Sequence, residues 1–122
     1  VGIIPAPLTP ETMPFWTKFV DRYKREPVYT APGAYDALRI WAQAVERAKS
    51  VDADKVIPEL EKTKFVGTQG TYAFDKNHDV IAGADGLNVL FVQWQEGGKR
   101  MVVWPKSVAK GEMILPPWMN KM

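Results

Sequence analysis

A chain of 122 residues is about one domain, which argues against a two-domain enzyme with separate cofactor and substrate halves. Hydrophobic residues at 46% and charged residues at 25% match an ordinary globular chain and speak against disorder, a collagen-like fibre or a membrane bundle. Sixteen Lys plus Arg against fourteen Asp plus Glu leave a net charge of +2 with no basic stripe, so nucleic-acid binding gets little support. With no cysteine there is no disulfide framework, thiolate metal site or cysteine nucleophile.

In chain order, Val1 to Ile4 reads as a short strand, and Pro5, Pro7 and Pro10 then force an extended connection. The start resembles no signal peptide and reads as the edge of a processed or truncated chain. Phe15, Trp16, Phe19, Val20 and Tyr23 recur at helical spacing and predict a helix over about 15–25, with Thr12 as cap, Pro14 in the first turn and Glu26-Pro27 as stop. After the extended link Val28 to Ala31, Pro32-Gly33 opens a second helix over about 33–49. Its expected core stripe is Ala34, Ala37, Leu38, Trp41, Ala44, Val45 and Ala48. A third helix is expected over about 53–62, capped by Asp52, with Val56, Ile57 and Leu60 inside and Pro58 imposing a kink or a late start.

From Phe65 the pattern changes to a glycine-bearing loop and a short strand, followed by the polar turn Asp75 to Asp79. Leu87 to Trp94 predicts a strand (about 87–94) apolar on both faces and so covered by other layers. Glu96-Gly97-Gly98-Lys99 is the turn to a returning strand (about 100–104) that Pro105 stops. The tail from 107 to 122 has apolar residues without period and should lie against something apolar.

Constellations that could carry chemistry are few. Asp75-x-Asn77-x-Asp79 imitates the start of a calcium loop, but Val80 and Gly86 stand where a glycine and a bidentate glutamate are needed, so it reads as a turn without metal. His78, the only histidine, reads as a solvated loop residue, since no serine elbow accompanies it. The pairs Gly67/Gly70 and Gly83/Gly86 lack a dinucleotide or P-loop pattern and read as turn glycines; no cofactor is implied. Asp36 and Glu46, and Glu59 and Glu61, read as solvated outer faces of helices. Trp41, Trp94 and Tyr23 fall on expected buried faces. Tyr29 and Tyr35 flank a Pro-Gly helix start, where side chains and free N–H groups can meet a ligand.

The run Phe19-Val20-Asp21-Arg22-Tyr23-Lys24, then Ala34-Tyr35-Asp36-Ala37-Leu38, Ala44-Val45-Glu46-Arg47-Ala48, Asp52 to Ile57, Phe65 to Gly70 and Phe74-Asp75, resembles the last third of type I periplasmic substrate-binding proteins. The branched-chain amino-acid receptors of ABC transporters are nearest in pattern. The resemblance covers roughly residues 1 to 105. It departs where the family has a glycine just before the aspartate equivalent to Asp79, here His78, and in the Pro-rich tail. It implies an α/β fold, of which this is the C-terminal portion: three helices followed by a β-hairpin. The function implied is non-enzymatic: capture of a small amino-acid-like or aromatic-acid-like ligand outside the cytoplasm and its presentation to a membrane permease. A ligand-sensing domain of the same fold is the alternative, and a small enzyme using His78 a weaker one. By the same resemblance Tyr29, Thr30, Ala31 and Tyr35 border the ligand's side chain, while its polar anchors lie in the remaining N-terminal part of the receptor. Apolar surface meant for that part would favour self-association by strand exchange.

Overall fold

The structure is a computed structural model that describes residues 5–83 and 86–119, so the expected strand at Val1 to Ile4 lies outside the described residues. The chain forms two compact units, residues 1–88 and 89–122.

The first unit opens with α1 (Thr12–Tyr23), which starts earlier than its apolar spacing suggests. Thr12 is not the cap. It is the first helical residue, and its hydroxyl accepts from the Thr9 N–H at 3.0 Å and donates to the Thr68 carbonyl at 2.7 Å. The helix ends before Pro27, at Lys24, whose left-handed backbone (φ 53°) lets its N–H reach the Val20 carbonyl. Phe15 and Trp16 are buried, but Tyr23, expected in the core, is exposed.

The second helix, α2 (Ala31–Ala48), also starts two residues early, with Thr30 at its cap position and Pro32 in the first turn. Its buried row is Pro32, Asp36, Ile40 and Ala44, one residue in four. This corrects most of the alanine-rich stripe: Ala44 is buried as expected, but Ala34, Ala37, Leu38 and Trp41 are exposed, Trp41 at 47%. Both rows satisfy helical periodicity; what selects between them is the partner. Ile40 packs into a core with Phe65 and Tyr72, joined by Leu60, Phe74 and Leu87, and only the Ile40 row meets it. Asp36, read as a solvated carboxylate, is therefore carried inside.

In α3 (Ala53–Glu61) the Asp52 carboxylate caps as expected, accepting from the Asp54 N–H at 3.1 Å. Pro58 lies inside the helix, which continues past it to Glu61. Val56 is buried while Ile57 is exposed. Arg47 of α2 ties α3 down, with its Nε 3.2 Å from Glu59 Oε2 and Nη2 donating to the Glu59 carbonyl at 2.8 Å.

Two residue-pair strands, β1 (Phe65–Val66) and β2 (Thr71–Tyr72), run antiparallel around the loop Gly67 to Gly70. The polar turn beyond is organised by Asp75, whose Oδ1 accepts from the N–H groups of Asn77 and Asp79 at 2.8 and 3.0 Å. His78 in that turn has φ 65°, a left-handed conformation that suits glycine and taxes a side chain. The departure from the resembled pattern therefore falls on a position with a backbone reason for glycine.

The single strand expected over 87–94 is divided between the units. Leu87 bridges Gly70 and Ala82, and Asn88 donates from both its N–H and its side-chain amide to the Gln69 carbonyl, which ends that segment in the first unit. In the second unit β3 (Phe91–Gln95) pairs antiparallel with β4 (Lys99–Trp104) through a 3-10 turn, where Gly97 and Gly98 take φ of 72° and 69°. Among the described residues nothing covers part of this hairpin as expected: Phe91 is exposed, and Trp94 is 69% exposed. Phe91 and Trp104 meet edge to face at 5.4 Å.

The tail returns to the hairpin on polar contacts, and Met113, Ile114, Leu115 and Trp118, expected to lie against something apolar, are exposed. Gln93 Nε2 donates to the Ile114 carbonyl at 2.8 Å and Gln93 Oε1 accepts from its N–H at 2.9 Å, so one side-chain amide imitates a strand partner. Gln95 donates to the Glu112 carbonyl at 2.8 Å. Gly111 lies so close to Met101 that a Cβ there would stand 2.8 Å from its Cγ.

Candidate functional site

A cleft of about 360 Å³ opens in the first unit between α1 and the start of α2, lined by Phe15, Lys18, Phe19, Arg22 and Tyr23 on one side and Ala31 and Tyr35 on the other. The spacing 15, 19, 22/23 sets one helical face toward the cleft, and Lys18 follows Phe15 by three residues on it. On α2, Ala31 and Tyr35 are one turn apart.

The aromatic walls touch. Phe15 and Tyr35 have ring centroids 5.1 Å apart across the cleft, Phe15 and Phe19 are 5.8 Å apart, and Phe19 and Tyr23 are 4.6 Å apart. Cations rim these rings: Arg22 stands 5.6 Å from the Tyr23 centroid and Arg39 5.2 Å from that of Tyr35. Arg39 also pairs with Glu11 Oε2 at 3.0 Å. Among the described residues no carboxylate lines the cleft, so its lining is aromatic and positive.

Four residues had been singled out from the sequence. Ala31 and Tyr35 are brought together in the cleft, whereas Tyr29 (65% exposed) and Thr30 sit on the turn leading into α2 and are not part of its lining. The α1 residues were missed because an aromatic stripe at helical spacing reads as core; the available signal was the two cations, Lys18 and Arg22, interleaved with it.

Behind the cleft a polar bracket fixes the start of α2. Asp36 is 0% exposed, and its Oδ2 accepts from both the N–H and the hydroxyl of Thr68 at 2.7 Å. Its Oδ1 has no hydrogen-bond partner among the described residues. Burial, and then the negative charge of Asp36, push the Tyr72 phenol well above its ordinary pKa, so it stays a donor, to Gln69 Oε1 at 3.1 Å.

A second, smaller hollow of about 180 Å³ is lined by Ile57, Leu60, Glu61, Phe74 and His78. His78 Nε2 lies 3.0 Å from Glu61 Oε1, and both side chains are exposed.

Residues 1–99 match a family model described as periplasmic binding protein. The chain belongs to the periplasmic binding protein family. Among solved structures it is similar to the leucine-binding protein LivK from Thermotoga maritima, at 28% identity and a TM-score of 0.67, over 84% of this chain and 28% of that one. The chain thus spans little more than a quarter of that protein's length, and its fold is a part of the type I periplasmic-binding fold. The matched family is one of binding proteins. Among the described residues no helix is long and apolar enough to cross a membrane.

Proposed function

We propose that this chain is part of an extracytoplasmic solute-binding protein, periplasmic or tethered outside the cell, that captures a small ligand for an ABC transporter. Its partners on this reading are the ligand, the rest of the receptor and a membrane permease. The cleft between α1 and α2 is a wall of the pocket, with Ala31 and Tyr35 shaping it and Tyr29 and Thr30 at its rim.

One observation carries the choice of ligand: the lining holds four aromatic rings, Lys18 and Arg22, and no carboxylate among the described residues. A carboxylate ligand finds two cations there, and an aromatic group finds ring faces to stack on. An aromatic acid fits that lining, and a volume of about 360 Å³ falls at the small end of ligand pockets, roughly 300–1,000 Å³. The exposed rings of Phe91, Trp94 and Trp104 support contact of the hairpin with the rest of the receptor or, failing that, with a second copy by strand exchange.

Calorimetric titration with phenylacetate, L-phenylalanine and L-leucine, on this chain and on the longer protein carrying it, tests the reading. Phenylacetate is expected to bind best, and Tyr35→Ala or Arg22→Ala to weaken it about tenfold each. Tight leucine binding that both substitutions leave unchanged contradicts it.

A further inference from the structure

We propose that Asp36 is a positioning residue for the α1–α2 cleft, acting through Thr68 and Thr12 to set the spacing of its two walls. The part of this statement that concerns ligand rests on the function proposed above; the part that concerns geometry does not.

A carboxylate taken out of water is costly unless hydrogen bonds replace its hydration. Among the described residues Asp36 is the one charged side chain in the core, and both of its hydrogen bonds go to a single residue, Thr68. Thr68 also serves α1, because its carbonyl accepts from the Thr12 hydroxyl at 2.7 Å. One residue along the loop, the Gly67 carbonyl accepts from the Thr9 hydroxyl, also at 2.7 Å. The loop Gly67 to Gly70 is therefore a bracket, gripped from α2 by one carboxylate and from the α1 side by two hydroxyls.

The grips stand next to the cleft in sequence. Phe15 is three residues after Thr12, and Tyr35 immediately precedes Asp36, so a rotation or slide of either helix start moves the rings that meet at 5.1 Å. Asp36 itself is fully buried and absent from the cleft lining, so it acts on the walls and not on a ligand. The loop cannot settle deeper to compensate, because Gly67 already lies against the Asp36 carboxylate and the Tyr72 ring.

The test uses Asp36→Ala, Asp36→Asn and Thr12→Val in this chain, with nuclear Overhauser contacts between the Phe15 and Tyr35 rings as the first readout and phenylacetate affinity as the second. Asparagine can still accept from Thr68, so Asp36→Asn should keep the ring contact and hold affinity within about threefold. Asp36→Ala and Thr12→Val should each lose the ring contact while the resonances of β3 and β4 stay in place, with affinity lower by about tenfold or more. A purely structural Asp36 would instead weaken every contact of the first unit in proportion to unfolding, or leave the ring contact intact in the folded molecules; either outcome overturns the proposal. Should Asp36→Ala fail to fold, Thr12→Val decides alone, and an unchanged ring contact there refutes it. If the unsubstituted chain and the longer protein take up no phenylacetate, the ligand assignment fails while the ring contact still decides the role of Asp36.

Discussion

Gly67→Ala is the most informative single perturbation of the first unit, because two effects of opposite sign act on it and the structure says which is larger. The backbone of Gly67 is outside the left-handed region, so alanine is conformationally allowed. By chain entropy alone the substitution would stabilise by about 0.4–1 kcal/mol. The added Cβ, however, would lie 2.6 Å from Asp36 Oδ2, 2.7 Å from its Cγ and 2.7 Å from Tyr72 Cε2. None of these can yield cheaply: the carboxylate is held by two bonds of 2.7 Å and the Tyr72 ring is buried in the core. Overpacking of this kind costs about 1–3 kcal/mol, and weakening a charged hydrogen bond adds up to about 1.5–3 kcal/mol. Steric cost wins, and the net expectation is destabilisation of about 2–4 kcal/mol. Gly33→Ala is the control, since its Cβ would meet only Gln69 Oε1 at 3.5 Å, within a helix; it should stabilise by about 0.4–1 kcal/mol. Urea unfolding of the first unit, compared at constant m-value, measures both. A neutral or stabilising Gly67→Ala would refute the close packing of the loop on Asp36.

Three further expectations follow from particular contacts. His78→Gly should leave stability unchanged or raise it by up to about 1 kcal/mol, because relief at φ 65° outweighs an exposed pair with Glu61; urea midpoints check the sign. Hydrogen bonding from Lys62, aided by its charge and by Arg47, holds the Glu59 carboxyl below its ordinary value of 4.5. A depressed carboxyl stabilises above its unfolded pKa and loses that contribution as pH falls through the folded value, so Glu59→Gln should flatten the acid limb of a stability–pH curve below about pH 4.5. Gln93→Ala removes both amide contacts to Ile114 and should speed hydrogen exchange at the Ile114 N–H roughly tenfold, with β3 and β4 protection kept.

The three helices were legible because apolar spacing and stop residues report existence and length, but spacing alone did not tell which face is inside. On α2 the alanine row and the Ile40 row have the same period, and only the small pair β1 and β2, two residues each and too short for a period of their own, chooses between them. Asp36 was misread for the same reason: its burial depends on Thr68, 32 residues away, and no local pattern announces that bond. Tyr35 was singled out from the Pro-Gly helix start, and Ala31 by the family resemblance alone. Phe15, Phe19 and Tyr23 could not be told from core residues until the helix starts were seen side by side. In the hairpin, apolar residues on both faces gave the strands but could not reveal that Phe91 and Trp94 are exposed.

The central claim is that the aromatic, positively rimmed cleft between α1 and α2 holds a ligand. Titrating isotope-labelled protein with phenylacetate while following backbone and ring resonances tests it most directly. Saturable shifts confined to Phe15, Lys18, Phe19, Arg22, Ala31 and Tyr35 are the expected result; shifts absent there, or centred on the hollow at Ile57, Phe74 and His78, would contradict it.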